Sequence, residues 1–188
     1  VTSLVRSIVS APELEAADYR AAMRQLAGGV ALITAGRDQD ISGMTVTSLT
    51  SLSAEPPRLM VAVNRSASSF PLISRYGFFG VSIVGAGQQG VAERFSSPTI
   101  KGAARFDGAE WETRQSGSPL LCGALASIDC QVEEIISRHS HAIIIGRPLA
   151  TILGAAQPSL VYWQGDYLAL APRDEDAPES SPSARWKP

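Results

Sequence analysis

The side chains with the most chemistry to offer are hydroxyls. Thr45, Thr47, Ser48, Thr50, Ser51 and Ser53 crowd one short stretch, and Ser66, Ser68 and Ser69 follow the next one, directly after Arg65. A solvated strand face would account for the first group, because Thr and Ser sit comfortably at sheet edges. It does not account for a second cluster beside an arginine. Hydroxyls, backbone N–H groups and a guanidinium are the groups that a phosphate and a polyol chain need.

Other chemistry falls away on the same residue basis. A serine hydrolase needs an activated serine, a histidine and an acid, but no G-x-S-x-G elbow occurs and the only histidines are His139 and His141. On one strand those two would share a face at i and i+2, yet no nearby Cys, Asp or Glu is placed to complete a tetrahedral site. No metal is expected, and on spacing alone His141 reads as a partly exposed residue at a barrel end. GAGQQG, Gly85 to Gly90, matches G-x-G-x-x-G. The dinucleotide fingerprint also needs a long helix and a second parallel strand ending in an acid. Here a polar segment broken by Pro98 and Gly102 follows, so the match is a decoy.

The bulk properties narrow the class further. The 188 residues, 45% apolar and 18% charged, suit one globular domain with a sizeable core. A net charge of −2 argues against nucleic acid or an anionic membrane as partner. Cys122 and Cys130 fall in a region that reads as sheet, and are expected as buried thiols rather than a disulfide framework. The first twenty residues show no long apolar h-region, Arg6 interrupting the one candidate, and no stretch approaches the ~20 apolar residues of a membrane span. A cytoplasmic protein is expected.

The elements that must position the hydroxyls are mostly strands. Residues 1–15 read as a weakly ordered leader. Asp18 can cap a short helix carrying Tyr19, Ala22, Met23 and Leu26, with Gly28-Gly29 as its stop. Strands are expected at 30–35, through the hydroxyl-rich stretch, at 58–64 after Pro56-Pro57, and at 78–84; helices are expected over 67–76 and 89–97. Ser127, Asp129, Gln131 and Glu133 alternate with Ile128, Cys130 and Val132, which predicts a half-buried strand with a polar outer face. Further strands follow at 141–146, 160–163 and 167–170, and residues 172–188 read as a disordered tail. Consecutive strands joined by turns favour an antiparallel barrel or sandwich over a doubly wound sheet.

YRAAMRQLAGGVALITA, GMTVTSLTSLSAEPPRLMVAVNRSAS, the Phe79–Phe95 segment, GSPLLCGALASIDCQV and HAIIIGRP stand in an order that resembles the short-chain flavin reductases, the small partners of two-component flavin monooxygenases. The resemblance covers roughly residues 16–170, and domain bounds of 16–171 follow. It implies a mainly β, antiparallel Greek-key split barrel with a few short flanking helices, and a homodimer that binds FMN or FAD and takes hydride from NADH or NADPH. Carried onto this chain, Thr45, Val46, Thr47 and Ser48 line the isoalloxazine and ribityl chain, with Leu49, Ser51 and Leu52 continuing that wall. Ser66, Ala67 and Ser68, beside Arg65, approach the phosphate, and Phe95 closes one side. Many members carry Gly-Asp-His where this chain has His139-Ser140-His141, so His141 falls on the histidine that helps seat the nicotinamide. Three functions stand open: a flavin reductase feeding a monooxygenase, a reductase serving corrin metabolism, and a flavin-binding or electron-transfer module without turnover.

Overall fold

A computed structural model describes residues 13–172 of the chain. The expected leader lies mostly, and the expected tail almost wholly, outside the described residues. Helix α1 (Ala16–Met23) opens the described part and is followed by strands β1 (Gly28–Gly29), β2 (Ala31–Arg37), β3 (Asp40–Val46), β4 (Thr50–Ala54) and β5 (Pro57–Asn64). Next come α2 (Phe70–Tyr76), β6 (Phe78–Ile83) and α3 (Gln89–Ser96). Strands β7 (Trp111–Glu112), β8 (Leu120–Leu121), β9 (Ala126–Arg138), β10 (His141–Leu153), β11 (Ser159–Trp163) and β12 (Asp166–Leu170) complete the order. The class is mainly β and antiparallel with few short helices, as expected.

Seven strands form one antiparallel sheet in the order β3-β2-β6-β9-β10-β5-β4. Strands β3 and β4 are consecutive in sequence yet occupy its two opposite edges. Only Thr47, Ser48 and Leu49 join them, a reach of at most about 14 Å. The sheet must therefore curl until its edges meet, and the hydroxyl-rich stretch is the seam. This corrects the expectation of one continuous hydroxyl-rich strand: the stretch breaks at Thr47 because the chain changes edges there. A second small sheet, β1-β11-β12, packs over the barrel through Val30, Val84 and Leu160, whose amides and carbonyls are paired across the join.

Two apolar clusters fill the interior. One lies inside the barrel around Ile33, Val61, Val63, Ile73, Phe79 and Ile144. The other lies under α3 around Leu32, Val84, Phe95, Phe106 and Leu160. Helix α2 plugs the first, with Pro71 in its first turn and Gly77 ending it at φ 70.

Three local expectations are corrected. Asp18 is not the N-cap: α1 starts at Ala16 behind Glu15, and Asp18 sits in the first turn, where its charge favours the helix dipole. Gly28-Gly29 does more than stop that helix, because it pairs with Tyr162 and Val161 as β1. The polar side of Ser127–Glu133 is an outer face only toward its end: Ser127 and Asp129 are 3% and 0% exposed, whereas Gln131 is half-buried and Glu133 exposed. The 113–119 loop covers Asp129, to which Ser116 donates from both its amide and its hydroxyl, while the Ser127 hydroxyl is shared between Leu121 O on β8 and Ser82 Oγ on β6. Polar side chains satisfied by a covering loop can sit inside. The Gly85–Gly90 segment forms a 3-10 turn and then α3, and β6 is antiparallel to both neighbours, so no parallel dinucleotide unit exists there. Among the described residues no helix is long and apolar enough to cross a membrane, and no three His, Cys, Asp or Glu side chains gather as metal ligands.

Candidate functional site

The seam between β3 and β4 is flanked by two clefts that share Thr47. One, about 370 Å3, is lined by Thr45, Val46, Thr47, Ser96, Tyr162 and Tyr167. The other, about 540 Å3, lies toward α1, where Arg20, Met23 and Arg24 face Gly28, Thr47 and Leu49. Both fall in the range of about 300–1,000 Å3 usual for small-molecule sites. Gly28 is required at this wall, because a Cβ there would meet Thr47 Cβ at 2.8 Å.

The hydroxyls of the seam are not idle. Thr45 Oγ1 donates to Ala92 O at 2.6 Å and Ser48 Oγ donates to Ala62 O at 2.8 Å. A hydroxyl has one proton and two lone pairs. With the proton spent on a carbonyl, each oxygen is left as an acceptor, which suits ligand N–H and O–H groups and does not suit a phosphate. Val46 is 9% exposed and anchors the seam in the barrel core, with Leu49 packed partly against the same cluster. Ser51 is exposed on β4, and Leu52, 48% exposed, sits at a register shift between Ser51 and Ser53 that turns it outward.

The second hydroxyl cluster forms a tight turn after β5. Asn64 Oδ1 accepts from the Ser66 amide at 2.9 Å and from Ser66 Oγ at 2.8 Å, and the Ala67 amide donates to Asn64 O at 3.0 Å. Ser68 Oγ pairs with Ser42 Oγ at 2.7 Å, tying this turn to β3. An anion arriving here would take over donors now turned on Asn64 Oδ1. Arg65 donates one of its five guanidinium N–H groups, from Nη1, to His139 O at 3.2 Å. The segment 65–68 lines neither of the two clefts.

His141 opens β10 beside this turn, opposite Asn64 in the register, and is exposed. The structure thus brings Arg65, Ser66 and His141 to one sheet end, and Thr45, Val46 and Thr47 to the seam. Phe95 departs from its expected place. Its ring is 1% exposed and packs at 5.1 Å and 5.3 Å, centroid to centroid, on Phe106 and Trp111. It presents no face to a surface-bound ligand and instead supports β3 from below, against Gly43.

Sequence reading missed Tyr162 and Tyr167, whose rings meet edge to face at 5.3 Å beside the smaller cleft. Burial pushes the Tyr167 phenol above its ordinary value, with Ser96 working the other way, so it stays a neutral donor at physiological pH. Their signal in the sequence is weak, since an aromatic in an expected strand reads first as core. Asn64, too, passed unnoticed at the end of an apolar run.

The residues from 23 to 171 match the family model described as flavin reductase like domain. A protein named FMN reductase (NADH) RutF from Variovorax paradoxus (strain S110) is 36% identical over 160 residues, covering 85% of this chain and 88% of its own. Among solved structures, BorF, the flavin reductase component of a bacterial two-component tryptophan halogenase, superposes with a TM-score of 0.78 at 31% identity, over 85% of this chain and all of its own. The styrene monooxygenase flavin reductase from Pseudomonas putida S12 gives 0.72 at 31% identity, over 83% and 99%. Sequence and architecture agree, and the chain belongs to the flavin reductase like domain family.

Proposed function

We propose that this protein is an NADH-dependent FMN reductase that works as a homodimer in the cytoplasm and passes reduced flavin to a separate flavin-dependent oxygenase. The observation that carries the reading is the seam: Thr45, its oxygen left as an acceptor, with Val46 and Thr47 lines a cleft of about 370 Å3 that also takes in Tyr162 and Tyr167. Thr45, Val46, Thr47 and Ser48, continued by Leu49, Ser51 and Leu52, would face the ring and ribityl chain. Ser66, Ala67 and Ser68 would take the phosphate, and His141 would seat the nicotinamide.

FMN, once held by these residues, would supply the chemistry as the hydride acceptor. The protein's task is positioning, which can supply much of such a rate without an acid or base acting in the step. Thr45 and Ser48 accept from ribityl or ring donors, and Ser66 and Ser68 exchange Asn64 and Ser42 for phosphate oxygens. The relative from Variovorax is named for FMN and NADH, which favours these over FAD and NADPH. The neighbours named for a halogenase and a monooxygenase favour an oxygenase-type acceptor over corrin metabolism.

Dimerisation is supported by what the single chain leaves open. Among the described residues strand β12 pairs only with β11, and Leu168 and Leu170 are 45% and 63% exposed on it. An apolar edge strand of this kind invites cover by a second chain. Cys122 and Cys130 are both free, consistent with a reducing compartment.

The test is oxidation of NADH and NADPH by the purified protein with FMN, FAD or no added flavin. NADH oxidation that requires FMN supports the reading. Tight flavin binding with neither nicotinamide oxidised would replace it by the flavin-binding module.

A further inference from the structure

The turn that presents His141 is held by two residues with no catalytic chemistry of their own. Strand β9 ends at Arg138 and β10 begins at His141, with those two residues paired, so His139 and Ser140 form a two-residue hairpin loop. His139 takes φ 49, the left-handed conformation that such loops demand. Ser140 Oγ lies 2.9 Å from His141 Nδ1. From the neighbouring strand Arg65 grips the same loop twice. Its amide donates to Ser140 O at 2.9 Å, and its guanidinium donates to His139 O at 3.2 Å. Asn64 stands opposite His141 in the β5–β10 register, so the grip continues the sheet ladder.

We infer that Ser140 and Arg65 are positioning residues for His141, fixing its ring orientation where the family resemblance leads one to expect a carboxylate. The inference rests on the reading of His141 as the residue that seats the nicotinamide. A neutral imidazole has one donor nitrogen and one acceptor nitrogen. The Ser140 hydroxyl can donate to Nδ1 or accept from it, so the contact engages Nδ1 in either tautomer and fixes the ring's orientation. The ring then meets an incoming carboxamide through Nε2, in one defined orientation. The serine does this without adding charge. Arg65, with one guanidinium N–H on the His139 carbonyl and its amide on the Ser140 carbonyl, acts on the loop that carries His141.

The experiment compares full-length Ser140→Ala, Ser140→Thr, Arg65→Met, His141→Ala and the Ser140→Ala/His141→Ala double variant. Three quantities are read: the FMN dissociation constant without nicotinamide, the KM and kcat for NADH, and the nitrogen-15 signals of the His141 ring. Ser140→Ala is expected to raise the NADH KM about fivefold, the worth of one neutral hydrogen bond, with FMN affinity unchanged. Ser140→Thr restores it, and the Nδ1 signal of the His141 ring shifts in Ser140→Ala and returns in Ser140→Thr. Arg65→Met shifts the NADH KM likewise, and the double variant is no worse than His141→Ala. If His141→Ala raises the KM while Ser140→Ala leaves both KM and ring signals untouched, the role of Ser140 is overturned. If Arg65→Met weakens FMN binding with the NADH KM unmoved, Arg65 belongs to the phosphate and its role is overturned. If His141→Ala leaves the NADH KM unchanged in an enzyme that still reduces FMN, the nicotinamide reading of His141 fails first, and the inference with it.

Discussion

The Thr45 hydroxyl donates to the Ala92 carbonyl at 2.6 Å, joining the edge strand β3 to helix α3. One bond thereby fixes β3 against α3 and leaves the oxygen as an acceptor at the smaller cleft. Thr45→Val keeps the side-chain shape and removes both functions. It should lower stability by about 1 kcal/mol, the usual worth of one such bond, and weaken FMN binding several-fold. Thr45→Ser should behave as wild type in both. Urea denaturation and FMN fluorescence titration read the two effects separately, and equal FMN affinity in the Val and Ser variants would remove Thr45 from the flavin wall.

The two hydroxyl clusters make opposite demands on a substitution. Ser66→Glu places a negative charge in the turn proposed for the phosphate, so the loss of FMN affinity should shrink as salt rises. Ser48→Tyr acts by bulk, and it also breaks the 2.8 Å bond to Ala62 O; its loss should be indifferent to salt. Each is expected to weaken binding by at least about tenfold, the cost of roughly one unpaired or repelled group in a contact of this size. An unchanged dissociation constant for both would refute this placement of the flavin.

The strands were legible because their period is local: Ile33, Val61, Val63 and Ile144 announce themselves by β-branched runs. What was not legible depends on partners far away in sequence. Asp129 reads as solvent-facing until the Ser116 loop covers it, and Thr47 reads as mid-strand until β3 and β4 prove to be opposite edges. At the candidate site the residue types were readable and their commitments were not. Nothing in the hydroxyl-rich stretch says that Thr45 is already bonded to Ala92, or that Ser66 faces Asn64. Phe95 shows the same limit in the other direction, since resemblance expected a wall and packing made it a foundation.

That foundation is testable through Gly43. A Cβ at this position would lie 2.5 Å from the Phe95 ring and 2.8 Å from the Ile33 carbonyl. The ring cannot retreat, because Phe106 packs edge to face on it at 5.1 Å. Gly43→Ala should therefore cost about 1–3 kcal/mol by overpacking, visible as a lower melting temperature. The double variant Gly43→Ala/Phe95→Leu should recover part of that loss. No recovery would mean that the strain falls on the Ile33 carbonyl and not on the ring.

The buried thiol of Cys130 makes the last prediction. Burial pushes its pKa far above the ordinary thiol range, and the neighbouring Asp129 adds to the shift. In the unfolded chain the same thiol ionises at about 8.5. Below that value both states hold the proton and the contribution is intact; as pH rises above it the unfolded state alone releases the proton, and stability falls by up to about 1.4 kcal/mol per pH unit. Cys122 is raised as well, by burial first and then by Glu112 and Glu110, but it is only partly buried. Comparing urea midpoints of wild type and Cys130→Ala from pH 7 to 10 should show a steeper decline in wild type. Iodoacetamide under native conditions should label Cys122 slowly and Cys130 only once denaturant is added. Equal native labelling of both would mean that the strand pair β6–β9 opens far more readily than its packing implies.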